Sequence, residues 1–217
     1  MKQYKAALLD MDGTLFDTKK GVIGALKEAI RDYGLKELEP EEEDQFIGPP
    51  IQKTIERFYG ISEAEAIEAA DVFRKYYREK DYVIVCDLYD GMRETLESLR
   101  AEGVKLCVAS LKKEDMVKRI CKHYGVEDLF DSIHGTDARD NLSKSDIIKI
   151  CLDEVGVDLD DAVMIGDTVF DAMGAEKAGC KFLGVTYGYG FRTESDVAEY
   201  ANIGTAKSAD EIADFFC

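Results

Sequence analysis

Residues 5–14 read K-A-A-L-L-D-M-D-G-T, and this stretch decides the fold. Its first half is a short apolar run, which is typical of a buried strand, and its second half carries two aspartates one residue apart. Because alternate residues of extended chain share a face, Asp10 and Asp12 can both point into one site while Met11 points away. Gly13 allows a sharp turn after them. Two carboxylates this close repel each other unless a proton or a cation lies between them, which favours a hard cation such as Mg²⁺.

The same residues do not fit a calcium-binding EF-hand loop. That motif needs Asp or Asn at its fifth position, Gly at its sixth and Glu at its twelfth. Counted from Asp10, these positions hold Thr14, Leu15 and Gly21, so the EF-hand interpretation fails at three places.

The whole chain is acidic and has the composition of a folded protein. Its 217 residues carry a formal charge of −17, from 28 Lys and Arg against 45 Asp and Glu, and 46% are hydrophobic. This charge argues against nucleic acid and against a polybasic membrane surface as partners, because both need cationic patches. No apolar run reaches the length of a membrane helix, and no signal-peptide core precedes Asp10. We therefore expect a cytoplasmic protein with reduced cysteines, whose two histidines, His123 and His134, are structural or surface residues.

Short apolar runs alternate with helical patterns along most of the chain. The sequence predicts strands over residues 5–9, 104–109, 131–134, 162–165 and 181–185, and helices near 91–102, 114–124, 145–155, 169–178, 194–200 and 209–216. Alternation of this kind predicts an α/β fold with a Rossmann-like, doubly wound parallel sheet that helices cover on both faces.

Residues 18–80 break this alternation. They contain no convincing strand, and amphipathic helical patterns cover 21–33, 51–59 and 62–78, separated by glycine and proline. We expect a helical-bundle subdomain over 18–80, inserted into an α/β core formed by 1–17 and 81–217. The run 82–86 is interpreted as extended chain that returns to the core.

Four further polar residues are predicted to lie near the two aspartates. Ser110 follows the second predicted strand, Asp167 follows the fourth, Asp171 lies one helical turn beyond it, and Lys144 opens a helix. Ligands of open parallel sheets bind beyond the carboxyl ends of the strands, where these side chains would converge. Taken singly, Ser110 and Asp167 could be helix N-caps and Lys144 a solvated lysine. Their order together with D-M-D-G-T favours a site.

The motifs D-M-D-G-T-L, V-A-S, S-K and I-G-D-T-V-F-D span nearly the whole chain, and in this order they resemble those of the haloacid dehalogenase superfamily of phosphotransferases. The resemblance implies a Mg²⁺-dependent phosphatase with an aspartyl-phosphate intermediate. Asp10 would be the nucleophile, and Asp12 the general acid and base. The presence of Asp12 favours phosphoryl chemistry over dehalogenation, because a halide needs no proton on leaving.

The resemblance also implies a metal site. The Asp10 carboxylate, the Asp12 backbone carbonyl and Asp167 would bind Mg²⁺. Asp171 would position Lys144 or a metal-bound water.

A phosphate site is implied beside the metal. Ser110 would donate a hydrogen bond to a phosphate oxygen, and Lys144 would neutralise charge on the phosphoryl group and hold Asp10 ionised. Backbone N–H groups near Met11 and Leu111 are further candidate donors. Many relatives carry a small or polar residue where this chain has Leu111.

The predicted insertion resembles the helical cap of the branch that contains phosphoglycolate phosphatases and related 5'-nucleotidases. The segment F-I-G-P-P resembles a cap loop of that branch, so Phe46, Gly48 and Pro49, with nearby Lys53, would shape the leaving-group pocket. The plainer interpretation is a helix boundary made by glycine and proline. The expected substrate is a small phosphorylated metabolite, phosphoglycolate or a nucleoside monophosphate.

Other functions stay open at this point. A β-phosphoglucomutase-like phosphotransferase carries an arginine shortly after the cap-loop glycine, where this chain has Ile51 and Gln52 with Lys53 as the nearest cation. A pyrophosphatase would use the same chemistry. A signalling phospho-acceptor or a non-catalytic binding protein are alternatives of another class. Both a monomer and a dimer are compatible with the sequence.

Overall fold

A parallel six-stranded sheet forms the centre of the computed structural model, which describes residues 4–137 and 141–216. Its strands are β1 (Ala6–Leu9), β4 (Lys105–Lys113), β5 (Ser132–Thr136), β6 (Ala162–Gly166), β7 (Lys181–Val185) and β8 (Thr205–Ala206), in the spatial order β5-β4-β1-β6-β7-β8. Two further strands, β2 (Phe16–Asp17) and β3 (Asp87–Leu88), form a separate antiparallel pair. The strand order reverses beside β1, and in sheets of this kind ligands bind at that switch point.

Helices cover both faces of the sheet. The α-helices are α1 (Lys19–Tyr33), α2 (Ile51–Tyr59), α3 (Glu63–Glu79), α4 (Met92–Ala101), α5 (Glu114–His123), α6 (Lys144–Val155), α7 (Val169–Ala178) and α8 (Glu194–Val197). All four residues of β1 are buried, because alternate ones belong to different apolar cores. Ala6 and Leu8 pack with residues of α6 and α7, whereas Ala7 and Leu9 pack on the opposite side. The predicted α/β fold with a doubly wound parallel sheet is confirmed.

The predicted elements differ from the observed ones mainly where segments are short. The strands β2, β3 and β8 have two residues each, too few to give a recognisable alternation. Residues 82–86 are not extended throughout, since Tyr82–Ile84 is a 3-10 helix and the returning strand is β3. The last predicted helix is a 3-10 helix, Asp210–Phe215.

Three α-helices and the 3-10 helix Pro40–Phe46 follow β2 and pack on one another before the chain returns through β3. The apolar stripe predicted in α1 is buried, and α3 packs against it through buried alanines and Phe73. Ser62 begins α3 with a capping box, because its hydroxyl accepts from the Glu65 N–H while the Glu65 carboxylate accepts from the Ser62 N–H. We call residues 18–86 the helical segment.

A histidine joins two helices across the edge strand β5. The Nδ1 atom of His134 lies 3.0 Å from Glu114 Oε2 in α5, and its Nε2 atom lies 2.8 Å from Glu154 Oε2 in α6. Partial burial lowers the pKa of His134, but the hydrogen bonds to Glu154 and Glu114 raise it more, so that the pKa lies above its usual 6.5. The imidazolium thus ties α5 to α6.

We expect His134→Gln to destabilise the protein in a pH-dependent way. A histidine with a raised pKa in the folded state stabilises fully below its unfolded pKa, and this contribution disappears as pH rises through the folded value. The free energy of unfolding should fall by about 1 kcal/mol at pH 5.5, and by much less at pH 9. Urea denaturation at both pH values measures the difference. An equal loss at both would contradict a stabilising imidazolium.

Candidate active site

Four buried acidic side chains, a buried lysine and a second, partly buried lysine lie at the carboxyl end of β1 and its neighbours. Asp10 and Asp12 follow β1, and Asp167 follows β6. Asp171 lies in the first turn of α7, and Lys144 is the first residue of α6. Lys112, the second lysine, lies in β4. The parallel register of β1 with β4 and β6 brings these ends together, as the sequence predicted.

Lys144 is the centre of an ion cluster. Its Nζ donates to Asp10 Oδ1 at 2.7 Å and to the Ala109 carbonyl at 2.9 Å, and it lies 2.7 Å from Asp171 Oδ1. The start of α6 is fixed by Ser143, whose hydroxyl accepts from the Asp146 N–H. Burial lowers the pKa of Lys144, but the charges of Asp10 and Asp171 raise it more. The ammonium therefore stays charged at neutral pH.

Three carboxylates meet beside this lysine. One oxygen each of Asp10, Asp167 and Asp171 lies within 4.8 Å of the others. Burial, opposed by Lys144 and assisted by Asp171 and Asp12, raises the pKa of Asp10 to about 6. Burial and the charges of Asp171 and Asp10 raise the pKa of Asp167 to about 8. These carboxylates need a further positive charge to be ionised together at neutral pH.

The donor set fits a divalent cation. At this site four buried aspartates stand against the two lysines Lys144 and Lys112, which leaves two negative charges when all six are ionised. Carboxylate oxygens are the ligands that Mg²⁺ prefers. Asp10 and Asp167, both predicted as ligands, belong to this cluster together with Asp171. The carboxylate of Asp12 is not part of this cluster, so only its backbone carbonyl is left for the predicted contact with the metal.

A loop after β7 holds Asp167. The N–H groups of Tyr189 and Gly190 donate to Asp167 Oδ2 at 2.7 and 3.2 Å, and the Thr14 hydroxyl lies 3.3 Å from Oδ1. A Cβ atom on Gly188 would lie 2.4 Å from Asp167 Oδ2, so this position accepts only glycine without a shift of the aspartate. The glycine-rich run 184–190, predicted to lie near the site, thus supports one of its carboxylates.

The carboxylate of Asp12 has partners of its own. Its Oδ1 accepts from the Thr18 hydroxyl at 2.5 Å and lies 3.0 Å from Lys112 Nζ. The same ammonium lies 3.2 Å from the Tyr77 hydroxyl and 4.9 Å from the centre of its ring. Lys112 was not predicted. Its position two residues after Ser110, on the same side of an extended strand, is the sequence signal that could have indicated it.

Ser110 lies inside β4, because that strand is longer than predicted. The register of β4 against β5 shifts between Ala109 and Lys113, so Ser110 is beyond the regular part of the ladder. Its hydroxyl is buried and accepts from the Lys112 N–H at 3.2 Å. The preceding carbonyl, that of Ala109, accepts from Lys144 and therefore links this strand to the ion cluster.

A cleft separates the helical segment from the sheet beside Asp12. Phe46, Gly48 and Pro49, all predicted for the leaving-group pocket, line it together with Leu111. The side chain of Met11, by contrast, is buried in the apolar core. The backbone N–H groups of Met11 and Leu111 remain predicted phosphate donors.

Lys53, predicted to help shape the leaving-group pocket, lies away from this cleft. Its Nζ lies 3.2 Å from Glu56 and 3.3 Å from Glu63, on the exposed side of α2, and it does not line the cleft. The cation that lines the cleft from the helices is Arg74 of α3. Helix α2 presents Thr54 and Ile55 to the interior, which turns Lys53 towards solvent.

The family model for haloacid dehalogenase-like hydrolases matches residues 7–185, which include the whole ion cluster. The chain belongs to the haloacid dehalogenase-like hydrolase family. Membership agrees with the resemblance that the four motifs indicated. Together with the phosphatases among its relatives and structural neighbours, it identifies the chain as an enzyme of the phosphatase type.

Relatives match over most of their length. A 5'-nucleotidase of Pseudomonas aeruginosa is 32% identical over 193 residues, which cover 88% of this chain and 87% of that protein. A phosphoglycolate phosphatase of Aquifex aeolicus is 31% identical over 187 residues, covering 85% of this chain and 86% of the relative. The crystal structure of a predicted phosphatase from Clostridium acetobutylicum superposes with a TM-score of 0.89 at 32% identity, covering 98% of this chain and 97% of the other.

Across residues 4–137 and 141–216, no helix combines the length and the apolar character needed to cross a membrane.

Proposed function

We propose that the chain is a Mg²⁺-dependent phosphatase that hydrolyses a small phosphomonoester, of the phosphoglycolate or nucleoside monophosphate class, through an aspartyl phosphate. The observation that carries the proposal is the cluster in which Lys144 bridges Asp10 and Asp171 beside Asp167. A carboxylate held ionised in a buried, water-poor site is a nucleophile suited to phosphorus.

The first half-reaction transfers the phosphoryl group to the enzyme. A carboxylate oxygen of Asp10 forms a bond to phosphorus while the bond from phosphorus to the ester oxygen breaks. Asp12 donates a proton to the departing oxygen. Ser110 donates to a phosphoryl oxygen, and the positive charge of Lys144 stabilises the charge of the phosphoryl group. Bound Mg²⁺, held by Asp10, Asp167 and the Asp12 carbonyl, would shield the attacking carboxylate from the phosphate.

The second half-reaction releases orthophosphate. Asp12, ionised after its donation, takes a proton from water, and the water oxygen bonds to phosphorus as the bond to Asp10 breaks. Lys112 and Thr18 fix the Asp12 carboxylate at the cleft wall, which supports its use as the base in this step.

We also propose that the helical segment is the cap of this enzyme over a core formed by the rest of the chain. The antiparallel pair β2–β3, in which Phe16 faces Leu88 and Asp17 faces Asp87, supports a hinge at both ends of the segment. This would place the second boundary near residue 86, somewhat later than the predicted residue 80.

The test is an assay of orthophosphate release from a panel of phosphomonoesters. We expect turnover with Mg²⁺, loss of more than about 95% of it in excess EDTA, and full recovery when Mg²⁺ is added back. The panel should include sugar bisphosphates and pyrophosphate, because efficient use of these would favour the mutase or pyrophosphatase alternatives. Unchanged activity in EDTA would contradict the proposed metal dependence.

A further inference from the structure

The lining of the cleft differs in charge from the rest of the molecule. The chain has 17 more acidic than basic charges. Among the described residues that line the cleft, however, Arg74, Lys112 and Lys113 are cationic, and Asp12 is the one acid. The remaining lining residues are apolar or uncharged, and one of them, Tyr77 of α3, contacts Lys112 through its hydroxyl. An anion in this cleft would meet a local excess of positive charge.

Lys112 lies beside the position that the leaving group of the substrate must occupy. A general acid contacts the oxygen that it protonates at hydrogen-bond distance, about 3 Å. The ammonium of Lys112 is 3.0 Å from Asp12 Oδ1. It can therefore reach a substrate group that lies one or two bonds beyond the oxygen that Asp12 protonates. Its side chain is only 9% exposed, and a cation this buried is stabilised by a further negative partner.

Arg74 faces the same cleft from α3. Its side chain is 17% exposed, and its guanidinium is held by Asp71 at 2.9 Å and by the Gln52 side-chain oxygen at 3.3 Å. A guanidinium fixed in this way can offer its planar donors to a carboxylate or a phosphate, which are the groups that arginine matches best. The cleft thus has a cation on each wall, one from the helical segment and one from the sheet.

We infer that the leaving group of the substrate carries a second anionic group, a carboxylate or a phosphate, which Lys112 and Arg74 recognise. This inference rests on the proposed phosphatase function and narrows its substrate class. It disfavours nucleoside monophosphates, whose leaving group is a neutral nucleoside. Phe46 and Pro49 close the apolar side of the cleft, which suits a small carbon skeleton between the two anionic groups.

The experiment compares matched substrates that differ in one charge. The carboxylate arm is 2-phosphoglycolate and its neutral partner is the corresponding carboxamide. The phosphate arm is 1,2-ethanediol bisphosphate, with 2-hydroxyethyl phosphate as its neutral partner. We expect kcat/KM of the wild-type enzyme to be at least about 100-fold higher for the anionic member of one pair, since two charge-assisted contacts are involved. The substrate pair that shows this preference identifies the second anionic group as a carboxylate or as a phosphate.

Lys112→Met and Arg74→Met should each lower that preference by about tenfold or more, whatever they do to the absolute rates. Lys112→Arg should keep most of it. Lys75→Met removes an exposed lysine next to Arg74 in sequence and should leave the preference unchanged. Thermal unfolding and far-ultraviolet circular dichroism establish that each variant is folded, and the ratio of the two substrates cancels any shared loss of active enzyme.

Equal kcat/KM for the charged and neutral members of both pairs would overturn the inference while leaving the phosphatase function intact. A preference that survives in both methionine variants would equally overturn the roles of Lys112 and Arg74. Failure of the wild-type enzyme to hydrolyse any phosphomonoester with Mg²⁺ would instead contradict the proposed function itself.

Discussion

Replacing Asp10 by Asn is expected to lower kcat for phosphomonoester hydrolysis by about 10⁴-fold or more. The amide has nearly the shape of the carboxylate, but its oxygen lacks the negative charge that makes the carboxylate a nucleophile towards phosphorus. Lys144 keeps its contacts with Asp171 and with the Ala109 carbonyl, so the substitution removes the reacting group without dismantling the site. Orthophosphate release under saturating substrate and Mg²⁺ measures the loss.

The folded state of this variant should remain intact. Burial raises the pKa of Asp10 to about 6, which means that its ionised form is destabilising above that pH in the absence of a cation. Urea denaturation in EDTA at pH 8 should therefore show no loss of stability in Asp10→Asn. Asp153→Asn, on the exposed face of α6, serves as the control with full activity. A kcat for Asp10→Asn within tenfold of the wild-type value would disprove the assignment of the nucleophile.

Replacing Lys144 by Met should cost both activity and stability. The ammonium contacts two buried carboxylates at 2.7 Å, and removing it leaves them without their shared cation. Breaking a buried ion pair from one side costs about 3–5 kcal/mol. We expect a loss of this size in the free energy of unfolding at pH 8 in EDTA, and a fall of about 10³-fold or more in kcat.

Two conditions should reduce the loss of stability in Lys144→Met. Lowering the pH to 5 protonates the crowded carboxylates, because the pKa of Asp10 is already raised in the presence of the lysine. Adding Mg²⁺ supplies another cation to the same oxygens. Lys149→Met, on the exposed face of the same helix, provides the control. A stability loss that is independent of both pH and Mg²⁺ would point to a packing defect instead of an unpaired charge.

The sequence was sufficient to predict the sheet and the ends of its central strands. Continuous apolar runs such as that of β1 are typical of strands covered on both faces, and the polar residue after each run marks the edge where the site forms. Asp10, Ser110 and Asp167 were predicted in this way, and Lys144 was predicted from its place at the start of a helix. Their mutual distances follow from the parallel register, which fixes where neighbouring strands end.

The cleft could not be predicted to the same extent. Choosing between Lys53 and Arg74 depends on how α2 and α3 rotate about their axes when they pack, and both helices carry several cations. The contact of Lys112 with Tyr77 joins residues 35 positions apart, across the gap between the sheet and the helical segment. No local periodicity encodes such a contact.

The pairing of β2 with β3 has a consequence for how this protein can change over evolutionary time. The chain leaves the antiparallel pair at Asp17 in β2 and returns to it at Asp87 in β3, so the two ends of the intervening 69 residues lie side by side. A stretch whose ends meet can be lengthened, shortened or exchanged for a foreign one without altering the register of the six-stranded sheet. Asp10, Lys144 and Asp167 all lie outside it, whereas Arg74 lies within it. The contribution of Arg74 to selectivity can therefore change when this segment is exchanged, while Asp10, Lys112, Lys144 and Asp167 are inherited unchanged.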